Sequence, residues 1–120
     1  MSKGILGLIE KVKIHNNGKV VEADALVDTG AAMTSIDLDL ATEAQLGPVK
    51  RTFKVKAPIT KSVEQRPVVM VTIEVGGRKI EVEANLKDRS HMKYPILIGR
   101  NLLYRNFLVD IEKSPEKVEQ

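Results

Sequence analysis

The sequence predicts a mainly β, barrel-like domain with one or two short helices, and three observations carry that expectation. Apolar residues alternate with polar ones at a period of two over much of the chain, as half-buried strands require. Two turn pairs, Asn17-Gly18 and Gly76-Gly77, sit between such runs and suit the positive φ angles of two-residue hairpins. The strand-like runs are short, many and separated by turn residues, which argues for a closed β architecture over an α/β one.

The first hairpin is expected from Ile5–Ile14 to Val20–Val27, around "HNNGK". Next, "SIDLDLATEAQLGP" predicts a short helix with Ser35 or Asp37 as cap, Leu38, Ala41 and Leu46 toward one face, and Gly47-Pro48 as its end. "RTFKVKA", "PVVMVTIEV" and "RKIEVEANL" return to strand periodicity. Val69, Val71, Ile73 and Val75 share a face, answered by Ile80, Val82, Ala84 and Leu86 across the second hairpin. Ala57–Arg66, with its Pro, Ser and charged residues, reads as an exposed loop and a candidate mobile flap. In the final third, Ile96–Ile98 reads as a buried strand, Gly99 as a tight break, Asn101–Arg105 as a short helix and Phe107–Ile111 as the last strand. One domain over 1–113 is expected, with 114–120 a polar, frayed tail.

With 120 residues the chain supports one hydrophobic core, so an active site must fit in one small scaffold or be built by two copies. At 42% apolar and 29% charged residues the composition is that of a globular protein, and no apolar run approaches the roughly 20 residues of a bilayer span. The N-terminus lacks a signal-peptide pattern, so a cytoplasmic location and no membrane partner are expected. Absence of cysteine removes disulfides, thiolate nucleophiles and cysteine zinc sites. The net charge of +3 is a mild bias toward acidic partners. Two Phe, two Tyr and no Trp offer no stacking platform, which disfavours nucleic acid.

Chemistry concentrates in "ALVDTGAAMTSID", where Leu26 and Val27 feed Asp28 onto a tight loop. Two carboxylates sharing a site cannot both ionise, so the pair holds one proton; one member then acts as base on water while the other donates to a carbonyl. A loop presenting such a carboxylate wants glycine two places on, here Gly30, and a threonine whose hydroxyl locks the loop, here Thr29. Alone the triplet is a weak signal. Its weight comes from "PILIGRNLL", where an apolar strand runs into Gly99, Arg100 and Asn101.

Together, in the order hairpin, DTGA, helix, flap, β-hairpin, ILIGRN helix from Val12 to Ile111, these segments resemble retropepsin-like aspartic proteases. The resemblance implies a closed acid-protease barrel with Asp28 catalytic and Thr29, Gly30, Ala31, Gly99, Arg100 and Asn101 supporting the site. It also implies a homodimer, each subunit donating one aspartate at the twofold axis. Arg66–Val69, Asp88–Ser90 and Tyr94–Arg100 are further similar to a bacterial and archaeal group historically described as ATP-dependent zinc proteases. Its members accompany ATP-grasp ligases of the ribosomal-modification type, and its characterised role is trimming glutamates added to a ribosomal protein. The older description fits the residues poorly: there is no HExxH, no Cys, only His15 and His91, and no GxxxxGK[ST] loop, so neither metal nor ATP is expected as a cofactor.

Pepsin-like enzymes commonly carry serine at the Ala31 position; alanine cannot hydrogen-bond the ionised carboxylate, which implies an activity optimum above the strongly acidic range. Viral retropepsins carry aspartate where this chain has Ala32, so Arg100 is expected to meet Asp37, Asp88 or a substrate carboxylate, with a structural ion pair favoured. Between positions 50 and 66, Lys50, Arg51, Lys54, Lys56, Lys61 and Arg66 face only Glu64. A solvated face is the plain explanation; under a closing flap, Arg66, Lys54, Lys56 and Lys61 would bind an acidic peptide. The leading expectation is therefore a homodimeric aspartic endopeptidase acting on peptide or protein substrates. Its rivals are a retropepsin-fold binding module without efficient catalysis and, on charge alone, a basic ribosome- or nucleic-acid-binding domain.

Overall fold

The computed structural model describes residues 2–56, 59 and 61–113. The strands are β1 (Gly4–Leu6), β2 (Ile9–Asn16), β3 (Lys19–Val27), β4 (Thr34–Asp37), β5 (Arg51–Lys56), β6 (Val63–Val75), β7 (Arg78–Lys87), β8 (Ile96–Ile98) and β9 (Phe107–Val109). Two short helices, α1 (Leu38–Glu43) and α2 (Arg100–Leu103), follow β4 and β8, and a 3-10 turn covers Ile111–Lys113.

Strand order in the main sheet is β2-β3-β8-β4-β7-β6-β5, and β2 also pairs with β6, closing the first six into a barrel. The closure is antiparallel, with Ile14 opposite Ile73. Parallel pairs β3–β8 and β4–β7 alternate with the antiparallel β4–β8, so chain segments distant in sequence meet at the middle of the sheet. Inward residues fill the barrel: Val12, Ile14, Ala25, Ile36, Ile73, Ala84, Ile96 and Ile98 are fully buried. The fold is mainly β with two short helices, as the sequence implies.

Both hairpins turn where expected, with positive φ at Asn17 and Gly18 (50° and 80°) and at Gly76 and Gly77 (58° and 77°). Facing residues pair as the alternation requires, Val69 with Ala84, Val71 with Val82 and Ile73 with Ile80.

Several boundaries move. Ile5–Ile14 is two strands, because the Gly7 N–H is taken by the Glu10 carboxylate and the Leu8 carbonyl by Val27. β1 then runs parallel to β9. Asp37 caps α1, accepting from the Asp39 N–H. β4 runs up to that cap, so the helix turns Leu40, Ala41 and Ala44 inward and leaves Leu38 exposed. The candidate flap loop is shorter than Ala57–Arg66, since Val63–Arg66 pair with β5; Ala57, Pro58 and Thr60 lie outside the described residues. α2 starts at Arg100 and ends at Leu103. β9 stops at Val109, where the Asp110 carboxylate accepts from the Glu112 N–H and starts the 3-10 turn. The tail expected at 114–120 also lies outside the described residues. Among the described residues no helix is long and apolar enough to cross a membrane.

Candidate active site

β3 and β8 end side by side, Val27 opposite Ile98, and the two segments leaving them are tied together by backbone. The Asp28 N–H donates to the Ile98 carbonyl (2.9 Å), Arg100 N–H to the Ala31 carbonyl (2.8 Å) and Asn101 N–H to the Ala32 carbonyl (3.2 Å). Within the loop, Asp28 Oδ1 accepts from the Gly30 N–H at 2.8 Å. A Cβ at Gly30 would lie 3.1 Å from that same oxygen, which explains a glycine two places after the carboxylate. Thr29 and Gly30 are exposed, and Asp28 is half-buried between them and the barrel end.

Asn101 is the main side-chain brace. Its Oδ1 accepts from both the N–H and the hydroxyl of Thr34 at 2.9 Å, and its Nδ2 donates to the Glu83 carbonyl at 2.7 Å. The Thr34 hydroxyl in turn accepts from the Gly99 N–H at 3.2 Å. Thr34, buried at the centre of this network, was not among the residues singled out from the sequence. A Thr four places past the DTG glycine carries no local signal; only its contact with a residue 67 positions later reveals it.

Arg100 corrects an expectation. Its side chain is exposed and donates to the Thr29 carbonyl at 3.0 Å instead of forming an ion pair with Asp37 or Asp88. Exposure removes the desolvation cost that would have demanded an acid. Asp37 is occupied by the N–H groups of Asp39 and Arg89, and Asp88 by Ser90. Hydrogen bonds from the Ser90 hydroxyl and N–H hold the Asp88 carboxyl below its usual range.

The cations proposed for substrate divide. Lys54 and Lys56 stand exposed on β5, outside the closed ring, and Lys61 is exposed beyond it. Arg51 pairs across strands with Glu83 at 2.7 Å. Arg66 is half-buried on β6, with Nε 3.1 Å from Glu64 Oε1 and Nη1 donating to Asn85 Oδ1 at 3.2 Å. The Glu64 carboxylate also meets Lys87 at 3.2 Å, and the Arg66 hydrogen bond is the main cause that holds its carboxyl low.

Arg89, the middle residue of the D-R-S segment, was also missed. It is 7% exposed, anchored by its N–H on Asp37 Oδ1 (2.7 Å) and by Nε on the Tyr94 carbonyl (3.1 Å). Burial pushes its guanidinium below the usual arginine range, the nearby Arg66 charge pushes the same way, and the charges of Asp37 and Asp28 oppose them.

His15 binds Glu74 at 2.7 Å on the barrel wall, and His91 is exposed in the loop after β7. Among the described residues no three His, Cys, Asp or Glu side chains converge to hold a metal ion.

Over residues 38–119 the sequence matches the family described as RimB-like, retropepsin-like aspartic endopeptidase RimB. The chain belongs to this RimB-like family. The matched stretch holds Arg66, Arg89 and Gly99–Asn101, and the Asp28 loop joins it through the backbone bonds above. Among solved structures, a Legionella pneumophila protein of unknown function is similar with a TM-score of 0.65 and 23% identity, over 91% of this chain and 94% of that one. The simian foamy virus protease is similar with a TM-score of 0.58 and 22% identity, over 79% of this chain and 90% of that one. These likenesses concern the fold. A Shewanella halifaxensis protein named a probable alpha-L-glutamate ligase is 38% identical over 52 residues, 43% of this RimB-like chain and 11% of that longer protein. The RimB-like chain is thus an aspartic-protease-like module, and retropepsin-like proteases act as dimers.

Proposed function

We propose that two copies of this RimB-like chain bring their Asp28 side chains together and hydrolyse peptide bonds in acidic protein segments. The observation that carries this reading is the single Asp28 carboxylate, held on an exposed loop that Gly99, Arg100 and Asn101 brace, in a chain whose family chemistry needs two. In the pair, the ionised carboxylate takes a proton from water, whose oxygen adds to the scissile carbonyl carbon. The protonated partner gives its proton to the carbonyl oxygen; the resulting gem-diol collapses as that partner takes back a hydroxyl proton and the first carboxyl passes its proton to the nitrogen, breaking the C–N bond.

A face for the second copy lies beside the loop. Ile5 and Leu108 are register partners on β1 and β9, 52% and 56% exposed, and Tyr104 is 69% exposed. Tyr104 and Leu108 line a cavity of about 350 Å³ together with Thr29 and Arg100. An apolar patch continuous with the site is what a partner subunit would cover. Tyr104→Glu combined with Leu108→Glu is expected to convert dimer to monomer in light scattering and to remove activity in parallel. A monomeric variant that keeps full activity would sink the shared site.

Acidic substrates are supported by the net charge of +3, by exposed Lys54, Lys56 and Lys61 on the projecting β5 side, and by the similarity to a protein named a glutamate ligase. The test is incubation with a poly-glutamate peptide, fragments being read by mass spectrometry. Cleavage that falls steeply with added salt is expected, a neutral peptide showing no such fall. Stoichiometric binding without cleavage would replace the enzyme with a binding module.

A further inference from the structure

Arg89 combines burial with an unusual lack of acid partners. Its Nε meets the Tyr94 carbonyl, but among the described residues no carboxylate comes within ion-pair distance of its guanidinium. A buried cation ordinarily pairs, because desolvating a lone charge is expensive. Here a second cation, Arg66, lies near enough to raise that cost.

The surroundings are built and rigid. Ser35 of β4 sits opposite Asn85 of β7, and two pairs further along the same ladder Asp37 sits opposite Lys87. Arg66 reaches this ladder through Asn85 Oδ1, and Arg89 through Asp37, so both arginines are fixed on one β4–β7 frame. The Ser35 hydroxyl on that frame is buried without a hydrogen-bond partner. β8 pairs with β4 on its other edge, Ser35 opposite Leu97, and leads directly to Gly99 and the loop that braces Asp28. Arg66 already holds a carboxylate, that of Glu64, through Nε. Among the described residues, the guanidinium of this pair without a carboxylate in contact is therefore that of Arg89.

We propose that Arg89, backed by Arg66, is the receptor for a substrate carboxylate beside the Asp28 pair, and that it, more than the flap lysines, sets the preference for acidic substrates. A guanidinium anchored through Nε presents its two remaining nitrogens to a carboxylate in the planar fork geometry that a lysine ammonium lacks. Exposed Lys54, Lys56 and Lys61 act only through a screened field, which attracts any anion without discriminating position. The assignment rests on the proteolytic reading above. A glutamate or aspartate side chain and a peptide's terminal carboxylate offer the same chemistry.

Three peptides separate these cases: one with glutamate and an amidated C-terminus, its glutamine analogue, and the glutamine analogue with a free C-terminus. The wild type is expected to favour a carboxylate-bearing peptide over the amidated glutamine peptide by at least about tenfold in kcat/KM. Whichever carboxylate confers the preference identifies its source. In Arg89→Gln that ratio is expected to fall toward one, mainly through KM for the acidic peptide. Should Arg89→Gln not fold, Arg89→Lys keeps the charge but loses the fork, and the ratio is expected to fall several-fold. A correctly folded Arg89 variant that retains the wild-type ratio overturns the proposal. Fluorescence anisotropy of the same peptides with the Asp28→Asn protein reads the preference without turnover. If the wild type cleaves none of the peptides, the proteolytic reading fails by itself. Carboxylate-selective binding that Arg89→Gln abolishes still supports the receptor, and non-selective binding overturns it.

Discussion

Asp28→Asn is expected to abolish peptide hydrolysis, lowering kcat by at least about a thousandfold, while leaving the protein folded. The loop does not need the charge to keep its shape. It is tied down by backbone, through the Asp28 N–H on Ile98 and the Arg100 N–H on Ala31, and an asparagine Oδ1 can still accept from the Gly30 N–H. What is lost is the proton chemistry, since an amide neither takes a proton from water nor lends one to a carbonyl. Wild-type melting behaviour alongside dead activity is the expected pair of results. Substantial residual turnover would place the catalytic group elsewhere.

The same variant tests whether the site is shared. If each active unit needs two Asp28 carboxylates, a mixed dimer is as dead as a pure mutant one. Activity then scales with the square of the wild-type fraction once subunits exchange, so an equal mixture of wild type and Asp28→Asn retains about a quarter of the activity. A complete site within one chain predicts about half. The squared law requires no structural knowledge of the interface.

Much of the barrel was legible because its signals are local. Asn17-Gly18 and Gly76-Gly77 dictate hairpins through their own φ preferences, and alternation along β6 and β7 fixes which residues face inward. Closure of the barrel was not legible. The β2–β6 pairing and the parallel β3–β8 and β4–β7 ladders join segments whose sequences carry no mark of each other. The site divides in the same way. Asp28, Gly30 and Gly99 announce themselves through spacing. Thr34 and Arg89 matter through Asn101 and Asp37, which lie far along the chain.

Counting charges along the sequence also misjudged the flap. Arg66 finds Glu64, the one acid within the stretch, but Arg51 finds Glu83 from another strand, so the surplus of cations is smaller than the local string of letters suggests. Arg100 settles on a carbonyl, a partner that every residue possesses and that no residue type encodes.

Gly99→Ala is expected to be the most damaging single-methyl change in the molecule, lowering stability by roughly 3 kcal/mol or more. Backbone freedom is not the reason, since Gly99 has φ −97° and ψ −178°, an extended conformation open to any residue. Space is the reason. An added Cβ would lie 2.6 Å from the Met33 carbonyl carbon, 2.8 Å from its oxygen and 2.9 Å from the Thr34 nitrogen, all backbone atoms that cannot rotate away. Relief requires the 28–34 loop and α2 to separate. That separation strains the bonds from Arg100 N–H to Ala31, from Gly99 N–H to the Thr34 hydroxyl and from Thr34 N–H to Asn101. Buried donors stripped of acceptors add about 1–3 kcal/mol each if the bonds break. Gly18→Ala provides the control: its φ of +80° carries conformational strain, but nothing lies within 4 Å of the new methyl. There the cost is expected near 1 kcal/mol, with activity untouched. In Gly99→Ala, hydrolysis is expected to be lost even at temperatures where the protein remains folded, because the strained bonds are the ones that hold Asp28 in place. A Gly99→Ala protein with wild-type melting temperature and turnover would mean that the two segments do not pack as closely as the site requires.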